Sequence, residues 1–266
     1  MKALPAAFER YRMEYPTTFG GWVAFLLEMY GPQFVQGTIT TLELALIGTI
    51  LGCLLGFIVG IIQSLHVDRH ASIVSRVVTK ILKAVVAVYV EVFRGTPMMV
   101  QAMVIYYGSA QMFGLYFNTF AAGILVLSIN TGAYMAESVR GAITGIDPGQ
   151  LEGAYAIGFT HLQAMVRVII PQAFRNLIPQ IGNTFISAIK DTSVLNVISV
   201  TELYFIGRGI TGTYYRFFET FFIISMIYLF LTFVTSRLLK LLERKLDGSK
   251  SYDLVVDDAD TAQEVA

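Results

Sequence analysis

"EGAYAIGFTHLQAMVRVIIP", residues 152–171, breaks into a chain of long apolar runs with a stretch of mixed character that carries Gly158 and ends on Pro171. Just upstream, Asp147 is a natural N-cap, Pro148 suits the first helical position, and Gln150 stands at N3, where its amide reaches back to the cap. That helix is predicted to end near Gly158, which takes the left-handed conformation of a helix C-terminus at no steric cost. Thr160 then caps a second helix, with Gln163 at N3. The spacing therefore predicts two short helices meeting at a glycine elbow. Such a knuckle is either a rigid part pressed against a partner or an interfacial helix lying on lipid headgroups.

The surrounding composition decides the class. Of the 266 residues, 55% are hydrophobic and 14% charged, and the mean hydropathy is +0.62. These values indicate an integral membrane protein of helical spans, each of ~20 residues. Apolar runs fall at about 35–63, 81–107, 117–139, 162–189 and 217–239, which predicts five spans. Arg69, Arg76, Lys80 and Lys83 follow the first span, whereas the 108–116 turn has no base. By the positive-inside rule the first loop is cytoplasmic, as are the 147–171 loop and the end holding Arg237, Lys240, Arg244 and Lys245. The N-terminus is then extracytoplasmic, and Lys2, Arg10 and Arg12 there are interleaved with Glu9 and Glu14.

Three segments follow from this reading. Residues 1–34 form an extracytoplasmic N-terminus with an interfacial helix, "GGWVAFLLEMYG" (20–31), too short to cross and carrying Glu28 between the belt residues Trp22 and Tyr30. Residues 35–245 form the transmembrane domain. Residues 246–266 form an acidic tail with the composition of a disordered segment. Cys53 is the lone cysteine, so neither a disulfide framework nor a thiolate cluster is expected.

Glu152-Gly153-Ala154, three residues, Gly158, nine residues, then Val168-Ile169-Ile170-Pro171 resembles the EAA loop of ATP-binding-cassette (ABC) importer permeases, in which Glu-Ala-Ala, three residues, Gly and nine residues precede Ile-x-Leu-Pro. The chain departs from that pattern at Gly153, Val168 and Ile170, all small or apolar exchanges. "EVFRGTPMMVQ" (91–101), "AYMAESVRGAITGIDPGQLEGA" (133–154) and "KDTSVLNVISVTEL" (190–203) are similar to the polar amino acid uptake group of that family. The resemblance spans about residues 31–245. It implies the all-α type I ABC importer transmembrane fold, with Glu152, Gly153, Ala154, Gly158 and Pro171 at the contact with an ATPase. It further implies two ATP-binding-cassette subunits, a second permease chain, identical or homologous, an extracytoplasmic solute-binding protein, and an amino acid substrate. The expected location is a bacterial cytoplasmic membrane. No nucleic-acid partner is expected.

The residues themselves support transport. Charge at membrane depth costs ~2.5–3.5 kcal/mol per residue on insertion scales, so such groups face a cavity, a partner or each other. Glu91 and Arg94 stand one turn apart, as do Glu137 and Arg140, and each pair is expected to neutralise itself. Pro97 deprives the carbonyl of Phe93 of its helical donor and kinks the second span. In the fourth span Gln172, Asn176, Gln180, Asn183, Thr184 and Ser187 recur every three to four residues, a polar stripe that either glues helices or lines a path. At its outer end stand Lys190, Asp191, Thr192 and Ser193. Asp191 suits an amino acid ammonium, and Lys190 with the two hydroxyls suits its carboxylate. Asp191 or Thr192 serves equally well as an N-cap for the helix that follows.

Gly48, Gly52, Gly56 and Gly60 form a ridge predicted to seat another helix of the same chain. Glu43 on that helix has no neighbour of opposite charge. The chain lacks a G-x-x-x-x-G-K-[ST] phosphate loop, so no nucleotide site or other cofactor is expected in it. An ion-coupled amino acid carrier also needs broken polar helices, but such folds carry internal repeats, which this sequence lacks. An intramembrane metalloenzyme would need a pattern such as H-E-x-x-H, which His66, His70 and His161 do not supply.

Overall fold

In the first helix, α1 (Phe19–Ser64), the chain runs for 46 residues from an N-cap in which the hydroxyl of Thr18 accepts a hydrogen bond from the Gly21 N–H. The structure is a computed structural model that describes residues 15–65 and 72–246. The segment expected to be a separate interfacial helix is thus the first third of α1, continuous through Pro32. Its belt residue Trp22 is buried with Leu26 and Phe34 against Leu203, Ile210, Ile223 and Ile224. That apolar contact outweighs the ~3 kcal/mol that an interior proline costs. Lys2, Arg10, Arg12, His66, Arg69, His70 and the 247–266 part of the tail lie outside the described residues.

The remaining helices are α2 (Ile73–Gly95), α3 (Met98–Phe113), α4 (Thr119–Thr144), α5 (Pro148–Ala156), α6 (His161–Ala164), α7 (Ile170–Asp191), α8 (Leu203–Tyr214) and α9 (Phe217–Leu246). By length and composition α1, α4 and α9 qualify as membrane spans. The two other expected spans are built differently. Residues 81–107 are not one kinked helix but two, because Thr96, which precedes Pro97, is extended (φ −121°, ψ 147°). The fourth runs from α6 into α7 through a π turn at Met165–Ile169, closed by a bond from the Ile170 N–H to the Met165 carbonyl. The turn falls just before Pro171, which has no N–H to continue the regular ladder.

α1 and α4 form the spine. A Cβ placed on Gly48, Gly52, Gly56 or Gly60 would lie 2.5–2.6 Å from Leu127, Thr131, Met135 or Ala136 of α4. The ridge is therefore filled by the chain's own helix, as expected. Beside it, Leu44 packs with Ala102, Ala122, Val126, Leu195 and Ile198, which fixes α3 and the 3₁₀ turn Thr192–Ile198 around the N-terminal half of α4. Glu43 is exposed and makes no ion pair among the described residues.

Candidate functional site: a polar cavity and a helical knuckle

A cavity of about 430 Å³ opens where the α2–α3 break, α4 and α7 meet. Thr96, Pro97 and Met98 supply one wall, Asn130, Thr131 and Tyr134 the second, and Gln180, Asn183, Thr184, Ser187 and Asp191 the third. The polar stripe of the fourth span thus faces a void rather than another helix over its C-terminal half. Asp191 is the one charged side chain lining the void among the described residues.

The tetrad Lys190–Ser193 at the C-terminal end of the stripe divides. Lys190 is exposed and does not line the cavity. Thr192 is fully buried and its hydroxyl donates to the Ile189 carbonyl at 2.9 Å, while the Ser193 hydroxyl donates to Lys190 at 2.7 Å. Neither Asp191 nor Thr192 caps a following helix, since α7 runs straight into the 3₁₀ turn with no side-chain cap bond. Capping instead falls to Glu202 at the start of α8. This fully buried carboxylate accepts from the N–H groups of Tyr204 (3.0 Å) and Phe205 (2.7 Å) and from the Tyr228 hydroxyl (3.0 Å). Sequence reasoning passed over Glu202, although a Glu beside an apolar helix start is itself the signal.

At the break, the orphaned Phe93 carbonyl receives the amide nitrogen of Gln101 at 2.9 Å, and that nitrogen also reaches the carbonyl and hydroxyl oxygens of Thr96 at 2.9 Å. Asn130 donates to the Gln101 side-chain oxygen at 2.9 Å. Gln101 and Asn130 were not foreseen as partners, because the bond links residues on different helices. The expected Glu91–Arg94 pair does not form. Arg94 instead lies 3.9 Å from Glu137 of α4, and Arg140 binds both oxygens of Glu137. One carboxylate is thereby shared by two guanidinium groups, one turn along α4 from the cavity residue Tyr134.

In the knuckle, Asp147 accepts from the Gly149 N–H at 2.7 Å, and Pro148 opens α5. Gln150 does not return to the cap. Its side-chain oxygen instead accepts from Gln172 of α7 at 3.3 Å, tying the knuckle to the span. α5 ends as expected at Gly158 (φ +87°). The Phe159 N–H bonds the Ala154 carbonyl and the Gly158 N–H bonds that of Tyr155, the paired bonds of a Schellman motif. Thr160 and Gln163 form the complete capping box. Glu152, Gly153, Gly158 and Pro171 are exposed, whereas Ala154 turns inward and is buried.

Residues 70–248 match the family model of the binding-protein-dependent transport system inner membrane component. The chain belongs to this family. It is 40% identical over 167 residues to a probable amino-acid permease protein, YxeN, of Bacillus subtilis, covering 62% of this chain and 74% of that one. To the glutamine transport system permease protein GlnP of Escherichia coli K12 it is 39% identical over 160 residues, covering 60% and 73%. Among solved structures, an amino acid ABC transporter crystallised with histidines superposes with a TM-score of 0.73 at 39% identity, over 83% of this chain and 97% of that one. The MetNI methionine ABC transporter, at 20% identity and a TM-score of 0.66, shares the fold. The expected all-α type I importer architecture is therefore the observed one. As a member of this permease family the chain is a membrane component of a transport system.

Proposed function

We propose that the chain is one half of the membrane-spanning part of an ATP-driven importer that moves a polar amino acid into the cytoplasm through the cavity between α4, α7 and the α2–α3 break. The observation that carries this reading is the cavity itself, a void walled by hydroxyl, amide and carboxylate groups in a chain otherwise rich in apolar side chains. Asp191 receives the substrate ammonium, and hydroxyl and amide donors such as Asn183 and Ser187 receive its carboxylate. In this reading Lys190, Thr192 and Ser193 shape the outer rim rather than touch substrate.

Energy enters at the knuckle. Two ATPase subunits, which bind and hydrolyse the nucleotide, dock against Glu152, Gly153 and Gly158 of this chain and of a second permease chain. The N-terminus faces outward, where a solute-binding protein delivers the amino acid. Closure of the ATPases pushes the knuckles together, and the link from Gln150 to Gln172 passes that movement to α7, which carries the substrate groups.

The test is reconstitution of the chain with a partner ATPase and a solute-binding protein, followed by uptake of labelled amino acids. Uptake that requires ATP and the binding protein supports the proposal. Uptake driven by an ion gradient without ATP would replace it with a secondary carrier.

A further inference from the structure

The α2–α3 break is joined by side chains where an unbroken helix is joined by backbone. Pro97 offers no N–H to the Phe93 carbonyl, and the Gln101 amide stands in for it. Gln101 is 6% exposed, spans the break to both oxygens of Thr96, and is held from α4 by Asn130, which also approaches the Phe93 carbonyl at 3.4 Å. A backbone bond of this kind opens only with the helix, whereas a side-chain bond opens by rotation about the Gln101 torsions. The junction also has room to move. Nothing lies within 4 Å of a Cβ built on Gly95, and α2 buries only Val86 and Val90 among its side chains. Three residues at this junction, Thr96, Pro97 and Met98, together with Asn130, line the cavity.

We propose that Gln101, clasped by Asn130, is the pin of a hinge between α2 and α3 that positions the cavity wall formed by residues 96–98. Hinges concentrate at a few residues at the ends of elements, and this one coincides with the site wall. Gln101 acts through Thr96 and Asn130, so it is a positioning residue. The inference rests on the reading of the cavity as the substrate path.

Spin labels on cysteines at the exposed positions Val88 and Val104, in a Cys53→Ser background, report the distance across the break in the reconstituted complex. The native sequence should give one narrow distance without nucleotide and another with trapped nucleotide. Gln101→Leu should broaden the nucleotide-free distribution and lower uptake roughly tenfold, the scale of one buried polar group left unpaired. Pro97→Ala restores the N–H, so in that background Gln101→Leu should leave the distance unchanged. If Gln101→Leu fails to assemble, Asn130→Ala, which frees both Gln101 and the Phe93 carbonyl from α4, replaces it with the same labels. Coincident distributions in native and variant chains, or equal damage from Gln101→Leu with and without Pro97→Ala, overturn the hinge. Distances that shift with nucleotide in a complex that takes up no labelled amino acid leave the hinge standing and remove the substrate reading instead.

Discussion

The hydroxyl of Tyr155 and Nδ1 of His161 lie 2.7 Å apart, bridging α5 and α6 across the left-handed Gly158. With the Schellman bonds before the elbow and the capping box after it, this contact fixes the angle between the two knuckle helices. A part so braced transmits a push without bending.

That rigidity depends first on Gly158. Left-handed backbone costs a non-glycine residue roughly 1–2 kcal/mol, and a β-branched one more. Gly158→Val should therefore leave the spans inserted while misdirecting the knuckle, so that ATPase association weakens and uptake is lost. Co-purification of the ATPase with the variant, measured beside uptake, checks this. Normal values of both would show that the elbow angle is not read by a partner.

The helix spine gives a stability prediction. At Gly56 an added Cβ would meet Met135 at 2.5 Å, and overpacking of this kind typically costs 1–3 kcal/mol. Gly56→Val should lower the thermal midpoint in detergent clearly, whereas Gly141→Ala on α4, whose added carbon meets nothing within 4 Å, should not. Equal midpoints for the two variants would place α1 and α4 further apart than described.

Glu202 makes three hydrogen bonds in a fully buried position. Glu202→Ala leaves two N–H groups and the Tyr228 hydroxyl without their acceptor, at about 1–3 kcal/mol for each buried group left unpaired. Glu202→Gln keeps one acceptor oxygen and should be the milder change. Thermal unfolding of the two variants in detergent orders them. Destabilisation by glutamine equal to that by alanine would indicate that charge rather than capping is what the site requires.

The knuckle was legible in the sequence because each of its devices is local. Asp147, Pro148, Gly158, Thr160 and Gln163 act on backbone within a few residues of themselves, so spacing alone predicts their geometry. The glycine ridge was legible for the same reason, a four-residue period on one helix. What sequence missed depends on residues far apart in the chain. Arg94 takes Glu137 rather than Glu91 because α2 and α4 bring them together, and Gln150 takes Gln172 rather than its own cap because α5 packs against the π turn that leads into α7. The reading of residues 20–31 as a separate helix failed likewise, since the partners of Trp22 and Leu26 that hold it in line with α1 are about 180 residues or more downstream.

The cavity yields the most direct test of function. Asp191 has lost its rival role, because no cap bond issues from its side chain and the 3₁₀ turn follows α7 without one. Asp191→Asn keeps the shape and one acceptor oxygen and removes the charge. Charge-assisted hydrogen bonds are roughly twice as strong as neutral ones, and loss of such a bond is worth on the order of 1.5–3 kcal/mol. Apparent substrate affinity at the permease should therefore fall ~10- to 100-fold, since each 1.4 kcal/mol is a factor of ten. Assembly with the ATPase and basal hydrolysis should persist, because the knuckle is untouched. Ser187→Ala, which removes one hydroxyl from the same wall, should cost less, about the 0.5–1.5 kcal/mol of a neutral bond. Labelled amino acid uptake over a range of substrate concentrations, with hydrolysis measured on the same preparations, separates the two. Asp191→Asn transporting as well as the native chain in an intact complex would move the ammonium site to the amide oxygens of Gln180 and Asn183, further along the same wall.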